Sequence, residues 1–233
     1  MPEAEVTYCC AAAKDGNEMW RRNFQALERE EYSSDLSLKA RACERSDLVP
    51  TAESSIDESI EVAKRLKQFT PQVKKVADII KVARDEGSTV FTFGNGGSGS
   101  TAVHFTSDLM KTATKPNTKR IRAISLNDNM PLTTAWANDS SYDHVFQEPL
   151  ENLMKPRDVV IAISASGNSK NVLNAIDFAR LNGGTTVGLT GFDGGALKEK
   201  VALPIIVPSN DMLRIEDTHL LICHLLVRLI REN

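Results

Sequence analysis

Long apolar runs are missing from this chain of 233 residues. Nowhere do 18 apolar residues stand together, which excludes an ordinary transmembrane helix. The first twenty residues have neither a basic start nor a continuous apolar stretch, so no secretory signal is expected. Cysteine is scarce: Cys9, Cys10, Cys43 and Cys223 lack the paired spacing of a zinc module, and three of them fall in the N-terminal fifth. A disulfide framework is therefore not expected, and a reducing, cytoplasmic setting is. Basic charge is not in excess. A total of 28 Lys and Arg against 31 Asp and Glu gives a formal charge of −3 and a pI near 5.9. That balance argues against a general affinity for nucleic acid or anionic membrane. What is present is ordinary for a globular protein, 41% hydrophobic and 25% charged, with length for one domain, or one domain and an appendage.

Residues 1–50 mix short apolar spots with charge and sustain no period, so they read as an extension, loosely ordered or helical. Residues 51–233 read as the domain. Ile56, Ile60, Ala63 and Leu66 recur at helical spacing. Thr70 and Pro71 read as N-cap and first turn of a second helix that Gly87 ends. Strands follow at Thr89 to Phe93, Ile121 to Leu126, Asp158 to Ile163, Thr185 to Leu189 and Ile205 to Val207. Helices are expected from about Ser100 to Lys111, from Lys170 to Leu181 and from Leu213 to Arg231. Val- and Ile-rich strands separated by helical segments imply an α/β fold of three layers, a five-stranded parallel sheet with helices on both faces. Ligands of such sheets sit at the carboxyl ends of the strands.

Two of those strand-to-helix loops are unusual. GNGGSGS at residues 94–100 has three glycines in four positions, which lets backbone approach a ligand near a helix N-terminus. It is neither a Walker A loop nor a dinucleotide fingerprint; the plain alternative is a tight turn. SASGNS at residues 164–169 brings three hydroxyls to the mouth of a helix, which suits a phosphate monoester. The plain alternative there is a serine N-cap with turn-forming Gly and Asn. No lysine is fixed in either loop, which fits a small phosphorylated metabolite better than a nucleoside triphosphate.

Together with NDN and a later AND, LTGFDGG, VPS and RIEDTHLLICH, these loops resemble the SIS (sugar isomerase) domain family over about residues 52 to 230. Within it the chain is most similar to the phosphoheptose isomerase branch, which converts sedoheptulose 7-phosphate to a glycero-manno-heptose 7-phosphate. The resemblance implies an SIS-type fold. It assigns Asn95, Gly96, Gly97 and Ser98 to a sugar-phosphate cradle, and Ser164, Ala165, Ser166 and Ser169 to the phosphate. Asn138 and Asp139 match a pair that contacts sugar hydroxyls; on their own they would read as a turn or a helix cap.

His104 and Asp108, four apart, share one helix face, and Glu216 and His224, eight apart, share another. They could ligate zinc or serve as acid/base groups; a lone histidine on such a helix is more commonly structural. The resemblance implies that these four are the branch's metal and catalytic positions. The branch carries Glu at position 108, Gln at 216 and often Asp at 213, where this chain has Asp, Glu and Leu. The expected chemistry is aldose–ketose isomerisation, with Asp108 or Glu216 as base and His224 as partner, zinc polarising the carbonyl if bound, and Asp108 and Glu216 also contacting substrate. A non-catalytic SIS module that senses phosphosugars or binds protein, or an isomerase of another sugar phosphate, is the alternative. His144 is assigned to surface or interface, Trp136 and Phe146 to packing, and His219 lies near the face of Glu216. Excess apolar helix surface, with the resemblance, implies a homotetramer.

Overall fold

The computed structural model describes residues 51–232. The expected extension, residues 1–50, lies outside them. The domain begins with α1 (Ala52–Arg65), capped by Thr51, whose hydroxyl accepts from the Ser54 amide at 3.1 Å. A 3-10 turn, Leu66–Phe69, leads without a break into α2 (Thr70–Glu86). Thr70 is thus not the N-cap expected of it. Its backbone is already helical at φ −53° and ψ −39°, and its hydroxyl donates to the Lys67 carbonyl. Gly87, at φ 79°, ends the helix as a left-handed cap.

β1 (Thr89–Gly94) then enters the interior, buried along its whole length. It is followed by α3 (Gly96–Met110), β2 (Arg122–Ser125), α4 (Met130–Asp139), a 3-10 turn at Tyr142–His144 and α5 (Gln147–Leu153). β3 (Val159–Ile163), α6 (Lys170–Leu181), β4 (Thr185–Thr190), α7 (Leu197–Lys200), β5 (Leu203–Ile206) and α8 (Met212–Glu232) complete the chain. The five strands are all parallel, in the order β2-β1-β3-β4-β5. Two apolar layers cover the sheet. One joins α1, α2, α3 and α8 through Val62, Val76, Ile80, Phe105, Ile222 and Leu226; the other joins α5 and α6 through Leu150, Val172 and Ile176. Burial on both faces is why two of the central strands, β1 and β3, read as mostly apolar runs. Asp158, 4% exposed, fastens the entry to the sheet by accepting from the amides of Thr89 at 2.7 Å and Lys155 at 2.8 Å.

The chain order leaves β1 flanked by β2 on one side and β3 on the other, so the chain runs from β1 to β2 in one direction and then returns past β1 to β3 in the other. This is the switch point at which parallel sheets open a crevice beyond their strand ends. Gly94 pairs with Ile163 there, so the two unusual loops leave the sheet side by side.

Candidate functional site

The glycine loop is shorter than its sequence suggests. Expected to begin near Ser100, α3 starts at Gly96, so the glycines form its first turn. Glycine is required where neighbours press in: a side chain at Gly94 would sit 2.6 Å from the Ile163 carbonyl, and one at Gly99 2.8 Å from the Gly94 carbonyl. Asn127 locks the turn, accepting from the Gly94 amide at 3.2 Å and donating to its carbonyl at 2.9 Å. Ser98 is buried, and Gly96 and Gly97 are exposed. The serine loop is held from the other side. Gly167 at φ 63° lies against the backbone of Gly194 and Gly195, and the Asn168 side chain accepts from the Ala196 amide at 2.9 Å. Ser164 and Ala165 are buried, while Ser166 and Ser169 are half-buried. The LTGFDGG segment is therefore a brace for the serine loop.

His104, Asp108 and His224 converge. Asp108 Oδ2 lies 3.5 Å from His104 Nε2 and 3.7 Å from His224 Nε2, and the two imidazole nitrogens are 3.5 Å apart. The other Asp108 oxygen accepts from the Thr112 hydroxyl at 2.8 Å, which orients the carboxylate. The three ligand atoms all lie within 4.8 Å of one another, in a cleft of about 780 Å³ that Lys115, Arg228 and Arg231 also line. These separations fit a tetrahedral ion with bonds of about 2.0–2.1 Å, whose ligands stand roughly 3.4 Å apart. Glu216, expected with them, is not in this group. Eight residues along a helix rise about 12 Å, and the Glu216 carboxylate instead lies over Gly97, where an added side chain would meet it at 2.5 Å. α3 and α8 thus run parallel, with Glu216 at the glycine turn and His224 beside Asp108.

Asn138 and Asp139 end α4, exposed and bonded to each other at 2.7 Å. His144 is half-buried, and Phe146 is buried against Phe93 with ring centroids 4.9 Å apart. His219 is fully buried, with Nε2 3.1 Å from the Thr190 carbonyl. Burial pushes its pKa down to about 4, so the ring is neutral at pH 7. Cys223, one residue before His224, is buried too; desolvation and then the nearby Asp108 charge push its thiol pKa up.

The sequence profile of the SIS domain matches residues 56–191, more than half of the chain. The chain belongs to the SIS domain family. A phosphoheptose isomerase of Leptospira biflexa is 37% identical over 183 residues, 78% of this chain and 94% of its own length. A phosphoheptose isomerase structure from Francisella tularensis superposes with a TM-score of 0.74 at 28% identity, covering 78% of this chain and 96% of that one. Phosphoheptose isomerase GmhA from Neisseria gonorrhoeae gives 0.73 at 26%, covering 78% and 97%. Among SIS proteins the chain therefore groups with the phosphoheptose isomerases.

The SIS motifs do not single out four residues that shape this site: Thr112 and Asn127, and Tyr142 and Asn171, which both hydrogen-bond to the Asn95 side chain. Asn127 stands in the NDN motif and Asn171 two positions beyond the serine loop, so both were within reach of the motif pattern. Tyr142 and Thr112 carry no such signal. No helix among the described residues is long and apolar enough to cross a membrane.

Proposed function

We propose that this SIS chain is an aldose–ketose isomerase that converts sedoheptulose 7-phosphate to D-glycero-D-manno-heptose 7-phosphate. The observation that carries this reading is the acid/base trio of His104, Asp108 and His224, which a purely sensing module has no use for. Likeness to phosphoheptose isomerases supports the choice of sugar. The serine loop, with Ser164, Ala165, Ser166 and Ser169, takes the phosphate at C7. The glycine turn, Asn138, Asp139 and Glu216 hold the hydroxylated chain. Anchoring the remote phosphate orients the reacting end of the sugar; because the trio lies about 12 Å along α3 and α8 from the glycine turn, we read the two as meeting at subunit boundaries of the assembly.

The Asp108 carboxylate removes a proton from C1, the C1–C2 double bond forms, and the C2 carbonyl oxygen takes up charge. His224 supplies a proton to O2 and takes one from O1 as the enediol collapses. Asp108 then returns its proton to C2, and the product is the aldose with its carbonyl at C1. No net proton is gained or lost. His104, Asp108 and His224 would hold a zinc ion through their converging atoms, and it would supply polarisation of the carbonyl and stabilisation of the oxyanion; the proton transfers would then fall to the remaining Asp108 oxygen and His224 ring nitrogen.

We also read the chain as a cytoplasmic homotetramer. Ile56 and Ile60 on α1 and Leu213, Leu221 and Leu225 on α8 are exposed, which supports self-association through these helices. Light scattering checks it: a single-chain mass at micromolar concentration would reject the tetramer. The activity is tested by incubating the protein with sedoheptulose 7-phosphate and other ketose phosphates in deuterated water and following the C2 position by NMR. Formation of the heptose aldose with deuterium at C2 is expected. Binding without turnover on every substrate would leave a sensing module.

A further inference from the structure

The first turn of α3 lacks the cap that its own sequence offers. Asn95 is the N-cap residue, extended at φ −98° and ψ 149°. Asparagine there ordinarily turns its oxygen onto the amide of the second or third helical residue, here Gly97 or Ser98. Instead the side chain faces away. Its Oδ1 accepts from Asn171 Nδ2 at 2.9 Å and from the Tyr142 hydroxyl at 2.9 Å, while its Nδ2 donates to Asn171 Oδ1 at 3.0 Å. Asn171 is only 2% exposed, and its oxygen also accepts from the Val172 amide at 2.9 Å. Both acceptor positions of the Asn95 carbonyl are therefore taken, and none is left for the helix.

The other helices show that this is not a general habit of the chain. Thr51 closes α1, Asn129 closes α4 by accepting from Leu132 at 3.1 Å, and Asp211 accepts from Leu213 and Arg214 at the start of α8. Among the described helices with a capping-type side chain, the two left open follow the glycine and serine loops, at Asn95 and Ser169.

We infer that Asn171 and Tyr142 are positioning residues that hold Asn95 off its own helix, so that the amides of Gly97 and Ser98 stay free for the sugar phosphate. The inference rests on the isomerase reading and deepens it. A self-capped turn would offer a ligand fewer donors, because the Asn95 oxygen and the ligand oxygens would compete for the same N–H groups. Asn171 lies in the first turn of α6, behind the serine loop, and Tyr142 follows Asn138 and Asp139. The same three bonds thus register the glycine turn against both other ligand-contacting segments.

The test uses the full chain with Tyr142→Phe, at an exposed residue that leaves the fold intact, and separately with Asn171→Ala. Each frees one acceptor position on Asn95. Amide exchange at Gly97 and Ser98 in the ligand-free protein, read by NMR, is expected to slow as Asn95 swings back to cap the turn. KM for sedoheptulose 7-phosphate is expected to rise about twofold to tenfold, the worth of one hydrogen bond, with kcat within twofold of wild type. A merely structural role moves exchange the other way, toward faster opening. Unchanged or faster exchange in Tyr142→Phe, or an unchanged KM, overturns the inference. Failure of the isomerase reading shows separately, as absent turnover in the wild-type protein.

Discussion

Asp108 and His224, one on each of two parallel helices, meet with carboxylate and imidazole 3.7 Å apart. The contact places a base and a proton donor at one spot, the minimum that an enediol mechanism requires. Replacing Asp108 by Asn keeps the shape and the Thr112 contact but removes the base. Turnover is expected to fall at least about 100-fold, with sugar-phosphate affinity by calorimetry within a few-fold of wild type. Unchanged turnover would move the base to Glu216.

Zinc is expected to bind at about one ion per chain through His104, Asp108 and His224. Metal analysis of the purified protein and a competitive zinc titration measure it. His104→Ala and His224→Ala should each weaken binding by at least roughly tenfold, whereas Glu216→Gln, away from the trio, should not. A large loss in Glu216→Gln would bring that carboxylate into the ligand set.

Two glycines are expected to respond differently to a methyl group. Gly97→Ala meets only the mobile end of Glu216, so the melting temperature should hold while KM rises. Gly167→Ala must adopt a left-handed backbone, costing about 1–2 kcal/mol, and also runs into the fixed Gly194 carbonyl. Thermal unfolding of the two variants side by side separates them. Equal destabilisation would contradict the placement of Glu216 over the turn.

His219 should impart a pH dependence to stability. Its folded pKa, lowered to about 4 by burial, lies below the ordinary value of 6.5. Between those values the unfolded chain binds the proton and the folded chain does not, so stability falls as pH drops from about 6.5 to 4. The slope is at most about 1.4 kcal/mol per pH unit. Denaturant titrations across that range, compared with His219→Gln, should show the slope reduced in the variant. An identical slope would assign the acid sensitivity to other groups.

Much of the sheet was legible because β1 and β3 are buried on both faces and so are mostly apolar, the buried Thr89 and Thr92 of β1 excepted. α4 was not, since none of its residues is buried and it therefore has no apolar period to read. Its start depends on a local device, Asn129 accepting from Leu132. In the site, His104 and Asp108 were legible as a pair because four residues bring side chains onto one helix face. Their meeting with His224 depends on how α3 packs on α8, which spacing alone does not encode. The same packing carries Glu216 to the glycine turn and away from the imidazoles. The Asn95–Asn171 pair was hidden for a related reason: it joins the starts of α3 and α6 across the neighbouring ends of β1 and β3.

That neighbourhood also dictates when recognition can arise during folding. Gly94 is brought next to Ile163 only when β3 pairs with β1, whatever the order in which β2 joins the opposite flank. Either βα unit alone presents half a grip, and a nascent chain released before β3 has docked has nowhere to seat a phosphorylated sugar. Substrate therefore recognises only the finished sheet, and by mass action it protects finished molecules over partly assembled ones.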